Sequence, residues 1–217
     1  MTDETSATYF PDVFAVQDIE QARQIILTGE GSTTAERWQV ETPWLADTIS
    51  SLIDITPDTL LVDYGCGIGR VAKELIARHG CRVLGVDISQ QMRSLAIAYV
   101  QSDRFSTCSP EMLQGLIDDG LRAHAAFSIW VLQHCLKPGE DIGRIRDVMQ
   151  PGAPLFVLNN TYRAVPTKEL AWVNDGVDIK STLSLAFNLE QEGVPPVERT
   201  ARDLVDIIFW GLFRKRP

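Results

Sequence analysis

Short apolar runs alternate along this chain with longer stretches whose apolar residues recur at helical spacing. The first run, residues 60–62, is typical of a strand buried on both faces. The apolar positions of 71–76 then predict an amphipathic helix, and the run 83–86 predicts the next strand. Helices that alternate with buried strands predict a doubly wound, mostly parallel α/β sheet with right-handed crossovers.

The same alternation predicts the remaining elements. Further strands are expected at 104–108, 124–129 and 154–159, with helices between them. Before the first strand we expect a helix over 17–28, and a second helix that Thr42 caps and Pro43 begins.

The tail, in order, predicts a helix over 166–173, a strand over 182–189, a helix over 200–208 and a last strand over 209–215. An alternative takes 200–210 as a final crossover helix, which leaves the sheet without a closing hairpin. Length and pattern predict one domain: an N-terminal helical cap (1–56), a core (57–160) and a sheet-completing region (161–217).

A glycine-rich turn joins the first strand to its helix. It is the sequence Asp-Tyr-Gly-Cys-Gly-Ile-Gly over 63–69, and its acid stands at the strand end where open α/β sheets bind ligands. Asp87 ends the second strand about twenty residues further on, a distance at which an acid binds ribose hydroxyls. Arg70 occupies the position where a dinucleotide site needs its third glycine, which disfavours a nicotinamide-dependent oxidoreductase.

These segments resemble the class I S-adenosylmethionine-dependent methyltransferases. The turn 63–69 and Asp87 match the first two motifs of that family, 128–135 is similar to its strand-four end, and 149–159 is similar to its turn into strand five. The resemblance covers roughly 60–160 and implies a Rossmann-like sheet of seven strands, S-adenosylmethionine as cofactor and methyl transfer by in-line displacement. The two ends of the chain carry no assignable motif.

The resemblance also implies the cofactor-binding residues. The glycines would let the backbone approach the methionine end and the ribose, while one acid holds the turn or reaches the methionine ammonium and the other accepts from the ribose. An apolar side chain packs on the adenine, and another approaches the methionine. The glycines are Gly65, Gly67 and Gly69, and the two acids are Asp63 and Asp87, respectively. The two apolar residues are Ile88 and Ile129, respectively.

The chain departs from the family pattern at three positions. His124 stands in place of an acid in strand four, and Ala153 in place of a glycine before strand five. Ser109 stands in place of the acid near the adenine, so the adenine contact stays open among Ser109, Glu111 and Met112.

The acceptor side offers fewer signals. His134 follows the fourth strand and could serve as a general base, because imidazole titrates near neutrality; the alternative is a turn histidine that bonds the backbone or lines the pocket. Trp38, Trp130 and Asn159 are candidates for substrate binding, with core packing as the alternative for the tryptophans. Arg37 could bind an acidic substrate, or be a solvated charge.

Composition narrows the class of protein. The chain has 217 residues, 45% of them hydrophobic, and a net charge of −9, which disfavours a nucleic-acid substrate because phosphate binding needs a basic patch. No apolar stretch approaches the ~20 residues of a membrane span, and the polar N-terminus does not resemble a signal peptide. Four isolated cysteines predict free thiols in a reducing cytoplasm.

The sequence therefore predicts a cytoplasmic methyltransferase that acts on an oxygen or nitrogen of a small molecule. It predicts no metal, nucleic-acid or membrane partner, and a monomer or homodimer. Two alternatives stay open: a non-catalytic module that binds the cofactor or a partner, and an enzyme that methylates a macromolecule, either protein or RNA.

Overall fold

A seven-stranded sheet runs through the computed structural model, which describes residues 9–29, 31–168, 172–200 and 202–217. Its strand order is β3-β2-β1-β4-β5-β7-β6; β1 to β5 are parallel, and β7 is antiparallel to both of its neighbours. The strands are β1 (Leu60–Tyr64), β2 (Arg82–Val86), β3 (Phe105–Cys108), β4 (Ala125–Ile129), β5 (Pro154–Asn160), β6 (Phe187–Gly193) and β7 (Ile208–Lys215).

Helices cover both faces of this sheet. One apolar core packs α2, α3 and α4 on the first face, and another packs α5, α6 and α7 on the second. Leu61 belongs to the first core and Val62 to the second, so β1 is buried on both faces, as its apolar run predicts. The helices are α1 (Ile19–Ile26), α2 (Thr34–Leu52), α3 (Arg70–His79), α4 (Gln90–Val100), α5 (Pro110–Asp118), α6 (Pro138–Val148) and α7 (Ile179–Ala186).

This architecture confirms the predicted fold class, including the helices that precede the first strand. The strand order reverses between β1 and β4, and open α/β sheets bind ligands in the crevice at such a switch point. Three side chains converge on this crevice from the strand ends: Asp63 from β1, Asp87 just after β2 and Trp130 just after β4.

The predicted start of the second helix is wrong. The helix α2 begins at Thr34, and Pro43 lies inside it. Thr33 and Glu36 form a reciprocal capping box, in which the Thr33 hydroxyl accepts from the Glu36 amide and the Glu36 carboxylate accepts from the Thr33 amide. The turn before Pro43 is held by contacts from other elements, including a hydrogen bond from Arg70 to the Thr42 hydroxyl, and these outweigh the proline's helix-breaking tendency.

The predicted strand over 182–189 is also wrong in its first half. The Asp178 side chain accepts from the amide of Ser181 and begins α7, which continues to Ala186. Leu183 is fully buried, whereas Leu185 is 79% exposed. Residues two apart share a face in a strand but not in a helix, so the apparent alternation at 182–187 is an accident of a short amphipathic helix.

Of the other predictions for the C-terminal region, some are confirmed and some are wrong. The last strand is confirmed as β7, and its antiparallel pairing with β6 contradicts the alternative without a closing hairpin. Residues 202–207 form a 3₁₀ helix where a helix was predicted, and residue 201 lies outside the described residues. Of the helix predicted over 166–173, the described residues 166–168 and 172–173 are not helical, and Val173 forms a β-bridge with Val165. Residues 169–171 lie outside the described residues.

In the described part of the chain, no helix combines the length and apolar character needed to cross a bilayer. All four cysteines are free thiols, as their spacing predicts.

Candidate cofactor and acceptor site

A cavity of about 510 Å³ opens at the carboxyl ends of β1, β2 and β4. This volume falls within the range of small-molecule sites. The wall combines the glycine turn, the acids that follow β1 and β2, the 3₁₀ turn after β4, and the N-terminal segment.

The glycine turn forms the floor of the cavity. The amides of Gly65 and Cys66 donate to the carbonyl of Val86, so the turn is fastened to the end of β2. Gly65 has φ +81° and Gly67 has φ +52°, both in the left-handed region that favours glycine. A Cβ at Gly65 would overlap the methyl groups of Val131, and one at Gly67 would lie 2.7 Å from Ile26.

Asp87 connects this turn to the second strand. Its two carboxylate oxygens accept from the amides of Gly67 and Ser89, each at 2.9 Å. Burial raises the pKa of Asp87, and the two amide hydrogen bonds oppose that shift. Each oxygen keeps a second lone pair, so the carboxylate holds the turn and can still accept from a ligand in the cavity.

Asp63 is the second acid of this wall. It is buried, and desolvation together with the nearby charge of Asp87 raises its pKa to about 8, with Arg70 opposing. Among the described residues, neither Asp63 nor Asp87 forms an ion pair with a cationic side chain. This end of the cavity therefore favours a ligand that brings positive charge and hydrogen-bond donors.

A buried ion network lies beside the acids. Glu41, fully buried in α2, accepts from Arg37 at 2.8 Å, from Arg70 at 2.7 Å and from the Trp130 indole at 2.8 Å. The Thr200 hydroxyl also donates to Glu41, at 3.3 Å. Burial acts to raise the pKa of Glu41, but the two arginines outweigh it and hold that pKa below its usual value. The network links α2 to the residue that follows the glycine turn, to the end of β4 and to the C-terminal segment at Thr200.

This network carries more positive than negative charge of its own, and it stands beside the acids Asp63 and Asp87. Two arginines share one carboxylate, and both arginines line the cavity. The Nε atom of Arg37 is buried and has no hydrogen-bond partner, while its other nitrogens donate to Glu41 and to the carbonyl of Thr28. An unpaired buried donor costs about 1–3 kcal/mol, so this atom is suited to an anionic or carbonyl oxygen of a ligand.

Trp130 marks the tip of β4. It lines the cavity with φ +61°, a backbone conformation that is strained for a bulky residue. The indole is held by Glu41, and the Arg37 guanidinium lies 5.5 Å from the ring centroid. Backbone strain of this kind persists where the surroundings fix it, and here the ion network does so.

An aromatic wall faces the acids. The ring of His134 lies 4.5 Å from that of Trp172 and 6.0 Å from that of Phe14, and the latter two are 6.3 Å apart. The His134 Nδ1–H donates to the carbonyl of Ala164 at 2.8 Å, so Nε2 is the acceptor and receives the Gln133 amide at 3.1 Å. Burial lowers the pKa of His134 to about 4, and the Ala164 hydrogen bond only partly opposes that shift.

The other ionisable groups of this region are also engaged. The Tyr64 hydroxyl donates to Asp141 at 2.5 Å, and Arg144 pairs with the same carboxylate at 3.1 Å. Burial raises the pKa of Cys135 well above its usual value, and the charge of Asp141 adds to that shift, so this thiol is neutral. No group of three or more metal-ligating side chains occurs in the part of the chain that the structure describes.

The cavity wall brings together nine of the residues that the sequence singles out, one of them the candidate substrate-binding residue Arg37, and the other eight follow. They are Asp63, Gly65, Gly67, Asp87, Ile88, Ile129, Trp130 and His134. Six others lie outside this wall: Gly69, Ser109, Glu111, Met112, Trp38 and Asn159.

The residues outside the wall have structural partners nearby. Gly69 is the last residue of the turn and the N-cap of α3. The Ser109 hydroxyl accepts from the amide of Met112 and caps α5, and Pro110 is the residue of that segment that lines the cavity. Met112 itself is 61% exposed. The roles of Ser109, Glu111 and Met112 stay predictions.

The two candidates for substrate binding outside the wall pack against other side chains. Trp38 lies under the guanidinium groups of Arg23 and Arg70, and its ring meets Tyr99 edge-on. Asn159 is fully buried and donates to the carbonyl of the next residue, Asn160, which lines the cavity in its place.

Sequence reasoning missed Glu41 and Gln133. The signal for Glu41 was present: the capping box at Thr33 and Glu36 places the helix start early enough to put Arg37 and Glu41 one turn apart. Gln133 gives no comparable signal, because its environment comes from segments distant in the sequence.

Comparison with known proteins agrees with this geometry. Residues 62–157 match the family model described as a methyltransferase domain. Over this range the chain is similar to methyltransferase domains. This match spans β1 to β5, the part of the chain in which the sequence motifs lie. A search among curated proteins finds no significant match.

Solved structures share the fold at low identity. The PH0226 protein of Pyrococcus horikoshii OT3 is 15% identical, with a TM-score of 0.64 over 95% of this chain and 100% of its own. Geranyl diphosphate C-methyltransferase from Streptomyces coelicolor A3(2), solved with Mg²⁺, geranyl-S-thiolodiphosphate and S-adenosyl-L-homocysteine, is 11% identical, with a TM-score of 0.61 over 80% and 76%. The cyclase SpnF is 16% identical, with a TM-score of 0.60 over 80% and 81%. At these identities the likeness establishes the fold alone.

Proposed function

We propose that this protein is an S-adenosylmethionine-dependent methyltransferase that acts on an oxygen or nitrogen atom of a small molecule. The observation that carries the proposal is the joining of two buried carboxylates, Asp63 and Asp87, with the glycine turn and the unpartnered Arg37 Nε in one cavity. A ligand with hydroxyl and ammonium donors at one end and a carboxylate near them would satisfy all of these groups.

The residues of the wall fit such a cofactor. Asp87 would accept from the ribose hydroxyls through its remaining lone pairs, in charge-assisted hydrogen bonds. Asp63 would accept from the methionine ammonium, and Arg37 Nε would donate to the methionine carboxylate. Ile88, which is 50% exposed, offers an apolar face to the adenine.

When bound, S-adenosylmethionine supplies a methyl group on a sulfonium, which is already a strong electrophile. The task of this chain is therefore to orient the two reactants and to exclude water, and orientation alone can contribute about 7–11 kcal/mol. Trp130, Trp172 and Phe14 provide the apolar surfaces that limit water at the reacting end.

General-base catalysis receives little support from the residues on the acceptor side. His134 has a pKa of about 4, and its Nε2 already accepts from Gln133. Asp141 is engaged by Tyr64 and Arg144. We therefore assign His134 to the wall of the pocket, and we expect an acceptor that can attack without first losing a proton to the protein.

The proposal of a small-molecule acceptor rests on the shape of the cavity and on the net charge of the chain. The cavity is concave and partly aromatic, and its volume suits a nucleoside cofactor with a small partner. The net charge of −9 disfavours RNA, and a salt-dependent gel shift with RNA would reverse that ranking. A non-catalytic module remains the second candidate, because Ser109 and His124 depart from the family pattern.

Calorimetry with S-adenosylmethionine and S-adenosylhomocysteine tests the proposal. We expect both to bind with dissociation constants well below about 1 mM. Transfer of a labelled methyl group across a panel of small acceptors then separates an enzyme from a binding module, which would bind the cofactor without transfer. Failure of both ligands to bind would reject the proposal.

A further inference from the structure

Two amide oxygens, each on a residue that lines the cavity, lack hydrogen-bond partners. They are Gln133 Oε1, in the 3₁₀ turn after β4, and Asn160 Oδ1, at the end of β5. Both atoms are buried, and Gln133 as a whole is 2% exposed. A buried acceptor without a donor costs about 1–3 kcal/mol, and native proteins contain few of them.

The orientation of the Gln133 amide follows from its neighbours. The Ala164 carbonyl can only accept, so His134 must donate to it through Nδ1–H and present Nε2 as an acceptor. The Gln133 group 3.1 Å from Nε2 must then be the NH₂, which leaves the oxygen as the free atom. The free acceptor is thus fixed by a chain of hydrogen bonds.

These oxygens lie on a different side of the cavity from the cofactor acids. Asp63 and Asp87 lie at or just after the ends of β1 and β2, whereas Gln133 and Asn160 lie at or just after the ends of β4 and β5. Gln133 also touches the aromatic wall, because its amide contacts the His134 ring that packs on Trp172. This side therefore combines a flat apolar surface with two hydrogen-bond acceptors.

We propose that the acceptor is a primary amine on a planar apolar body, whose amino hydrogens are received by Gln133 Oε1 and Asn160 Oδ1. This inference rests on the proposed methyltransferase function and names its substrate class. Two free acceptors require two donor hydrogens: an amino group has two, a hydroxyl has one and a carboxylate has none.

The chemistry agrees with the lack of a base on this side. A neutral amine carries a lone pair and attacks without prior deprotonation. The nitrogen lone pair forms the new N–C bond as the C–S bond breaks, and the C–S electron pair stays on sulfur. The nitrogen then releases one proton to water, so the protein needs to supply only position and hydrogen-bond acceptors.

The test uses full-length protein saturated with S-adenosylhomocysteine and three probes of matched size: aniline, N-methylaniline and phenol. We expect calorimetry to give aniline the highest affinity, about 2- to 10-fold above phenol, with N-methylaniline below aniline, because each lost hydrogen bond removes about 0.5–1.5 kcal/mol. Equal binding of aniline and phenol would overturn the inference, and this comparison needs no variant.

Two variants test the assigned atoms. Gln133→Met and Asn160→Ala should each reduce the preference for aniline over phenol to less than about 2-fold while leaving the S-adenosylhomocysteine affinity within about 2-fold. Gln191→Met, at an exposed position of β6, is the matched control and should change neither. If Gln133→Met weakens the binding of S-adenosylhomocysteine as much as the binding of aniline, this oxygen contacts the cofactor instead, and the inference is overturned.

The proposed function and this inference fail in different ways. If the wild-type protein does not bind S-adenosylhomocysteine at all, both are rejected. If it binds S-adenosylhomocysteine but shows no preference for the primary amine, the inference alone is rejected. Labelled methyl transfer to aniline but not to phenol would support both.

Discussion

The two sides of the cavity are built in different ways. Most of the proposed cofactor side comes from one βαβ unit, residues 60–88, in which the turn, the helix and both acids follow one another along the chain. The acceptor side is assembled from Phe14, Gln133, Asn160 and Trp172, which are brought together only by the folded sheet. The comparison teaches that local spacing along the chain builds the proposed cofactor side, while tertiary packing builds the proposed acceptor side.

The polar groups of the two sides differ as well. The cofactor side offers carboxylates that lack a cationic partner, and the acceptor side offers neutral amide oxygens and aromatic rings. Glu41 lies between them, because it pairs with Arg70 at the cofactor turn and with the indole of Trp130 at the β4 tip. The Glu41 network is thus the link whose loss should affect both sides.

Removing the charge of Glu41 is expected to have the largest effect. Glu41→Gln leaves two buried arginines without a counter-charge, and we expect a loss of about 3–5 kcal/mol in the free energy of unfolding, measured by urea denaturation. The control is Asp47→Asn, which removes the exposed partner of Arg78 and should cost less than about 1 kcal/mol. Equal losses in the two variants would show that the buried network does not stabilise the fold.

The glycine turn should respond next, and mainly on the cofactor side. In Gly65→Ala the new methyl group would overlap Val131 at a φ of +81°, so we expect S-adenosylhomocysteine affinity to fall about 100-fold or more, by calorimetry. The control is Gly143→Ala in α6, where the added Cβ would have no neighbouring atom within 4 Å. This variant should leave the affinity unchanged and raise the melting temperature slightly. An undiminished affinity in Gly65→Ala would mean that the ligand does not use this turn.

The next expected effect comes from a substitution of Asp87. Asp87→Asn replaces a charge-assisted acceptor by a neutral amide, and we expect S-adenosylhomocysteine to bind about 10- to 100-fold more weakly. Asp58→Asn, at an exposed acid before β1, controls for net charge. Affinity that falls equally in both variants would point to a general charge effect rather than to a contact with the ribose.

The mildest perturbation of the site is a change of pH. Because Asp63 has a pKa of about 8 in the free protein, it is mostly protonated below that pH, and binding of an ammonium group must expel the proton. S-adenosylhomocysteine affinity should therefore rise from pH 6 towards pH 8, by up to about tenfold per pH unit, and level off above pH 8. In Asp63→Asn this slope should disappear; a slope that persists would assign the linked proton to another group.

The sequence predicts which strands and turn build the proposed cofactor side, because the signals for them are local. Buried runs identify β1 and β2, and a fixed spacing places Asp87 beside the glycine turn. Ser89 caps α4 as expected of a serine before an apolar helix. These features depend on residues close in the chain, so no knowledge of tertiary contacts is needed.

The acceptor side could not be predicted to the same depth. Asn159 and Asn160 are adjacent and chemically identical, and only the pleat of β5 decides that the second one meets the cavity. Pro43 is typical of the first turn of a helix, so it predicts a start for α2 that is too late in the sequence. The apolar positions around Leu183 fit a short helix as well as a strand, so that pattern does not decide between the two.

A crystal structure of the protein with S-adenosylhomocysteine tests the central claim most directly. The account predicts the ribose hydroxyls within hydrogen-bond distance of the Asp87 carboxylate, the methionine ammonium at Asp63 and its carboxylate at Arg37, with the space beside Gln133 and Asn160 left for the acceptor. Density for the ligand away from the glycine turn, or an Asp87 that contacts only Gly67 and Ser89 in the complex, would contradict it.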